Sequence, residues 1–211
     1  MGLKNELIQY SKLCGASGFV KAYDGNMSVR TKKNYILSTA SKTNKSKIKP
    51  ADLVKCDIKG KKLAGKRHLS TELKLHLYIY SKRKDINAVI HTHPVYICSF
   101  AAAGKKLPAN ILPEIYLQFG NIPIAPYATP STDEVPASIE PFVMEHNAVI
   151  LGNHGLVAFG KTLEEAYYIT QKLEQYAQIC FNAKVLGGAK AIPAAQLKKL
   201  DGLKNTVYKS K

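Results

Sequence analysis

Three histidines stand at the ends of two apolar runs. His91 and His93 close the run Ala88-Val89-Ile90, with Thr92 between them, and His154 follows Ala148-Val149-Ile150-Leu151 after Gly152-Asn153. The chain has 6 histidines in all, so half of them sit where two buried strands should end. Residues two apart on a strand point the same way, which aims His91 and His93 at one point. Imidazole nitrogen suits a divalent transition metal, and three protein ligands with one open position is the pattern of a catalytic zinc site. The competing reading gives each histidine its own hydrogen bond or solvent; a third histidine at a second strand end, in a glycine-flanked turn, favours the metal. His68, His76 and His146 read as surface or helix residues.

Glu72 follows Ser70-Thr71 at what reads as a helix start. Free backbone N–H groups and hydroxyls at such a place make an anion site suited to phosphate. A carboxylate between a phosphate pocket and a metal could work as a general base, with its pKa tuned by burial. The plainer alternative is a carboxylate that only complements the helix dipole. Gly25-Asn26 is a second candidate: the glycine permits close backbone approach and the asparagine amide can donate to an oxygen ligand. Ser41, in Thr39-Ala40-Ser41-Lys42, is a third.

The elements that must position these residues can be read from periodicity. Residues 3–15 form an amphipathic helix, with Leu3, Leu7, Tyr10 and Leu13 near one face. Residues 27–30 and 34–38 read as a strand hairpin, followed by a lysine-rich loop over 41–49 and a strand over 53–58. Ser70 can cap a helix carrying Leu73, Leu77 and Tyr80. Residues 88–90 lack polar alternation, so both faces should be covered. Pro94 opens a helix to residue 102. Residues 122–125 are extended, and 132–145 read as a helix. Residues 148–151 and 156–159 form a hairpin around Gly152-Asn153-His154-Gly155. Thr162 and Glu165 make a capping box for a helix ending near 186 at Gly187-Gly188, and a short helix with a charged, mobile tail follows from about 192. No internal repeat or long linker divides residues 1–211. The economical architecture is one α/β domain with a central, mostly antiparallel sheet and helices packed on both sides.

Composition excludes several classes. The chain carries a formal net charge of +16. Its basic residues are nearly all lysines, spread along the sequence, without the interleaved aromatics of a stacking platform. A nucleic-acid role is therefore disfavoured against a solvated surface that focuses anionic substrates. No apolar run approaches the ~18 residues of a membrane span. The N-terminal segment lacks a signal-peptide pattern, so a cytoplasmic protein is expected. Cys14, Cys56, Cys98 and Cys180 are far apart and form no C-x-x-C pair, which argues against a zinc ribbon or a disulfide framework.

The order of these features resembles a known family. Gly25-Asn26-Met27-Ser28-Val29-Arg30, Thr39-Ala40-Ser41, Ser70-Thr71-Glu72, Ala88-Val89-Ile90-His91-Thr92-His93-Pro94, Ala125-Pro126-Tyr127 and Gly152-Asn153-His154-Gly155-Leu156 together resemble the class II aldolase/adducin-like superfamily, of the L-fuculose-1-phosphate aldolase type. The superfamily also holds L-ribulose-5-phosphate 4-epimerase, methylthioribulose-1-phosphate dehydratase, sugar-acid phosphate decarboxylases and the adducin head, a scaffold without the metal site.

The resemblance implies zinc (or manganese or cobalt) on His91, His93 and His154. It implies a phosphate pocket from Gly25, Asn26, Ser41, Ser70 and Thr71, and Glu72 as acid/base and as a further metal ligand when substrate is absent. The implied reaction is reversible cleavage of a ketose 1-phosphate to dihydroxyacetone phosphate and an aldehyde such as lactaldehyde. The implied assembly is a homotetramer with the site near a subunit boundary. Lys42 stands where the family usually has glycine, adding a charge near the phosphate or remodelling the loop. Tyr208 is placed for the tyrosine that the fuculose-type enzyme uses in its C-terminal tail. Neither Glu114 nor Tyr116 aligns cleanly with a second tyrosine of that enzyme.

Overall fold

The computed structural model describes residues 2–206. Eight strands form one sheet in the order β4-β3-β2-β1-β5-β8-β7-β6. They are β1 (Asn26–Arg30), β2 (Ile36–Thr39), β3 (Leu53–Cys56), β4 (Lys62–Ala64), β5 (Ala88–Thr92), β6 (Ile124–Ala125), β7 (Ala148–Leu151) and β8 (Gly155–Gly160). All neighbours pair antiparallel except β6 and β7, which run parallel. The expected mostly antiparallel α/β sheet is therefore the architecture found.

Among the described residues seven α-helices accompany the sheet: α1 (Leu3–Ala16), α2 (Leu73–Lys82), α3 (Val95–Ala102), α4 (Pro113–Gln118), α5 (Glu134–Ile139), α6 (Leu163–Val185) and α7 (Ala194–Thr206). Alternation along the strands divides the core between two faces. Val89, Val149, Val157 and Phe159 pack with Leu75, Ile79 and Tyr80 of α2 and Val135 and Ile139 of α5. Ala88 and Ile90 face the other way, onto Leu7 and Cys14 of α1 and Leu163 and Ala166 of α6. Ile150, Leu156 and Ala158 meet Ile97 of α3 and Leu173 and Ala177 of α6. β5 and β8 are buried at every position, as expected for strands covered on both faces.

Thr162 starts α6 by accepting a hydrogen bond from the Glu165 amide at 3.1 Å. The return arm of the expected box is displaced by one residue: the Glu165 carboxylate accepts from the Lys161 amide at 2.6 Å. Three other expectations are corrected. The helix expected over 132–145 is cut to α5, and turns carry the chain from Glu140 to β7; Pro136 sits in the first turn of α5, where proline is tolerated, and Pro141 follows its end. Pro94 is the residue before α3 rather than its first helical position. The loop over 41–49 holds a 3-10 turn at Lys45–Lys47, and a second lies at Pro50–Asp52. Cys98 is half-buried, while Cys14, Cys56 and Cys180 are buried; none is paired. Among the described residues no helix is long and apolar enough to cross a membrane.

Candidate active site

The site forms where the central strands end. β1 and β5 pair so that Asn26 lies opposite His91. The turn that delivers β1 is tight: Gly25 has φ +66°, and a Cβ there would lie 2.6 Å from both the His91 carbonyl oxygen and Val20 Cγ1. Only glycine satisfies both demands. On the other side, β8 pairs with β5, and the β7–β8 turn carries His154, with Asn153 in the left-handed region at φ 54°. Gly155 opens β8, where a Cβ would collide with the Thr92 carbonyl oxygen and lie 2.7 Å from His93 Cδ2.

The three rings meet. Their centroids lie 4.8–4.9 Å apart in every pairing. One nitrogen from each can be chosen so that all three lie within 4.8 Å of one another. His91 Nε2 and His93 Nε2 are 3.1 Å apart, close to the ~3.3 Å between two nitrogens on one tetrahedral zinc with ~2.05 Å bonds. His91 Nδ1–H donates to the Leu156 carbonyl at 3.0 Å, which leaves the Nε2 lone pair facing its neighbours. Burial, assisted by the neighbouring imidazoles, pushes His91 down to about 3 and lowers His93 as well. Neutral imidazole is the ligating form, so the cluster suits a divalent cation.

Glu72 sits at the edge of this cluster. Its Oε1 lies 3.2 Å from His154 Nε2 and 3.8 Å from His91 Nε2. Its Oε2 accepts from Asn26 Nδ2 at 2.8 Å. Burial alone would raise its pKa, but the hydrogen bond with His154 and the electrostatic pull of the neighbouring imidazoles outweigh it and hold the carboxyl down, at about 2. The residue is ionised at neutral pH. Its backbone departs from the expectation: α2 begins at Leu73, so Glu72 is the capping position and not part of the first turn. Ser70 still serves the helix start, accepting from the Glu72 amide through Oγ at 3.3 Å and from the Leu73 amide through its carbonyl at 3.1 Å.

Behind Glu72 lies a buried polar chain. Ser28 Oγ is 2.7 Å from His76 Nδ1 and 2.8 Å from Tyr80 Oη. His76 is one helical turn beyond Glu72 and fully buried, and burial drives it to about 3.

In front of Glu72 a cavity of about 270 Å³ opens, lined by Gly25, Ser41, Lys42, Ser70, Thr71, Glu72 and His93. Sequence reasoning had named each of these. Asn26 is not in the lining; it lies beneath, holding Glu72. Lys42 has φ 52°, the backbone conformation that glycine takes without strain. Tyr208 lies outside the described residues. Tyr116 donates to Asp201 Oδ1 of α7 at 2.7 Å, away from the cavity lining.

Tyr23, Asp24 and Ala40 complete the wall with Lys45 and Ser131, and the last two were not legible. Lys45 is hidden in a run that reads as solvated lysines. Ser131 carries no signal in its own segment, yet its Oγ is 2.6 Å from Thr71 Oγ1.

Residues 5–181 match the family of the Class II Aldolase and Adducin N-terminal domain. The chain belongs to this family. It is 32% identical over 198 residues, 93% of this chain and 92% of the relative, to the 5-deoxy-D-ribulose 1-phosphate aldolase of Bacillus thuringiensis serovar kurstaki. It is 34% identical over 169 residues, 80% of this chain and 90% of the relative, to the L-fuculose phosphate aldolase of Methanococcus maripaludis strain C5. A solved L-fuculose 1-phosphate aldolase superposes with a TM-score of 0.86 at 32% identity, covering 94% of this chain and 93% of that one. Class II aldolases are lyases, and the chain is an enzyme of that kind.

Proposed function

We propose that the protein reversibly cleaves a ketose 1-phosphate, of the L-fuculose 1-phosphate type, to dihydroxyacetone phosphate and a short aldehyde such as lactaldehyde. The observation that carries this reading is the place of Glu72. Its carboxylate stands between three histidines that can share a cation and a small hydroxyl-lined cavity.

His91, His93 and His154 would hold a divalent metal, zinc in the first instance, with Glu72 as a further ligand when substrate is absent. Bound there, the metal supplies Lewis-acid stabilisation of negative charge on the substrate's carbonyl oxygen. Ser41, Ser70 and Thr71, with Gly25 permitting close approach and Lys42 at the rim, would grip the phosphate and fix the carbon chain in register. In the direction of synthesis Glu72 takes the proton from the hydroxymethyl carbon of dihydroxyacetone phosphate; in cleavage it returns that proton. Asn26 holds the carboxylate toward the cavity while it does so. The hydroxyl that becomes the aldehyde must lose its proton as the carbon–carbon bond breaks, and Tyr208 is the residue proposed for that transfer, as phenolate taking the proton in cleavage and as phenol giving it to the aldehyde oxygen in synthesis. The assembly proposed is a homotetramer, with the site near a subunit boundary. No lysine need form a covalent adduct.

The relative named for 5-deoxy-D-ribulose 1-phosphate supports the same bond cleavage on a shorter chain, where the aldehyde would be acetaldehyde. A panel of fuculose 1-phosphate, 5-deoxyribulose 1-phosphate and methylthioribulose 1-phosphate on metal-loaded protein tests the reading. Release of dihydroxyacetone phosphate is expected, with His93→Ala losing the metal and Glu72→Gln keeping it while turnover falls by about 10³. Stoichiometric metal with no dihydroxyacetone phosphate from any of the three would overturn the aldolase and turn attention to dehydration, epimerisation or decarboxylation.

A further inference from the structure

Lys45 is 2% exposed, a rare state for an ammonium group. Its Nζ donates to the Tyr23 carbonyl at 2.9 Å. It makes no ion pair within 4.0 Å among the described residues. An ammonium offers three protons, so a single neutral acceptor leaves most of its capacity unused. Burial lowers its pKa to about 8, against the opposing pull of Asp24 and Glu72. A buried cation with so little compensation is costly unless something anionic comes to it.

The place where an anion could come is adjacent. Lys45 lines the same 270 Å³ cavity as Ser41, Ser70 and Thr71. Those three offer neutral hydroxyls, and the acidic groups in the lining, Asp24 and Glu72, would repel a phosphate. Arg67 is committed elsewhere: it pairs with Asp52 at 2.8 Å and donates to the Lys42 carbonyl at 3.0 Å. Lys42 is solvent-exposed, so its charge is screened. A phosphate monoester carries a charge of about −2 at neutral pH.

We infer that Lys45 is a substrate-binding residue, whose buried ammonium neutralises the phosphate group held by the hydroxyls of the cavity. The assignment rests on the phosphate-ester reading of the site given above. It gives the lysine-rich loop a specific duty: the 3-10 turn at Lys45–Lys47, capped by Asn44 accepting from the Ser46 amide at 3.0 Å, presents one lysine inward. Arginine would not fit the same duty so well, because its planar fork needs more room than a point charge reached along a straight stem.

The test uses inorganic phosphate as the probe, measured by calorimetry on the metal-loaded parent and on Lys45→Met. The substitution keeps the stem and removes the charge. Loss of a charge-assisted hydrogen bond should weaken phosphate binding by about 30-fold. Metal stoichiometry should stay unchanged, and KM for the ketose phosphate should rise by a similar factor while kcat changes little. Lys45→Arg should recover part of the affinity. Equal phosphate affinity in parent and Lys45→Met would overturn the assignment and leave Lys45 as a brace for the Tyr23 turn. Should Lys45→Met fail to fold, the ¹⁵Nζ resonance of Lys45 in the parent decides: it shifts on phosphate addition if the assignment holds, and stays fixed if it does not. Phosphate affinity is independent of turnover. A parent that binds phosphate through Lys45 but cleaves no ketose phosphate would sink the aldolase reading and leave this one standing.

Discussion

Glu72 is held by opposite pulls, and its chemistry depends on their balance. Burial favours the acid and the histidines favour the carboxylate, and the carboxylate wins. Asn26 donates to the oxygen that His154 does not face, so both carboxylate oxygens are fixed. If Glu72 is the base proposed above, removing that amide should loosen it without touching the histidines: Asn26→Ala is expected to cut kcat by about 10–100-fold while metal content, read by elemental analysis, is unchanged. Gly155 makes the complementary case. A methyl group there presses on the His93 ring and on the Thr92 carbonyl beside it, so Gly155→Ala should weaken metal affinity by about 10–100-fold in a chelator competition, although glycine is not a ligand.

At the scale of elements, the site depends on strand ends and their turns. β5 contributes His91 from its own length and His93 just beyond it; the β7–β8 turn contributes His154; the residue before α2 contributes Glu72. α6 carries no site residue, yet it packs on β5 and β8 through Leu163, Ala166 and Leu173. Loss of its N-cap in Thr162→Ala should cost about 1 kcal/mol by urea denaturation, with KM unaltered. These strands were legible because uninterrupted apolar runs bounded by turn residues have few alternatives. α4 and β4 were not foreseen: α4 is 6 residues long and β4 is 3 residues, fully exposed, so neither has a periodicity to read. The 3-10 turn at Lys45–Lys47 failed for another reason. Charged composition signals solvent, and nothing in the local sequence says that one of its lysines turns inward.

For the whole molecule, buried histidines couple stability to pH. His76 and His91 are fully buried, and burial drives each to about 3 from an ordinary 6.5. Between those values the unfolded chain binds protons that the folded chain refuses. Stability is therefore fully present above pH 6.5 and falls as the pH drops toward 3, by up to about 1.4 kcal/mol per pH unit for each such group. Urea midpoints measured from pH 7 to pH 4 on metal-free protein should decline, and His76→Gln should flatten the slope while lowering stability at pH 7, because Ser28 loses one of its two partners and keeps only Tyr80. A flat profile in the parent would contradict the buried, neutral state of His76. The charge of +16 acts at longer range. It should draw phosphorylated substrate toward the surface, so kcat/KM should fall with added salt more steeply than for an uncharged competitor.

The amino-acid sequence by itself carried the family and the parts of the candidate site: three histidines at two strand ends, a carboxylate after two hydroxyls, and glycines where backbones must approach, each legible because its residue type is restricted by donor set or conformation. Tertiary structure decided how these parts divide the work. It set Asn26 beneath Glu72 rather than in the cavity lining, made Glu72 the residue that precedes its helix, and placed Lys45 and Ser131 in the cavity wall. The reason is physical: local sequence fixes what a side chain can do and which way a strand or helix turns it, but burial and proximity arise from segments far apart in the chain. Lys45 meets Tyr23 across 22 residues and Ser131 meets Thr71 across 60, and no pattern within either segment encodes the other.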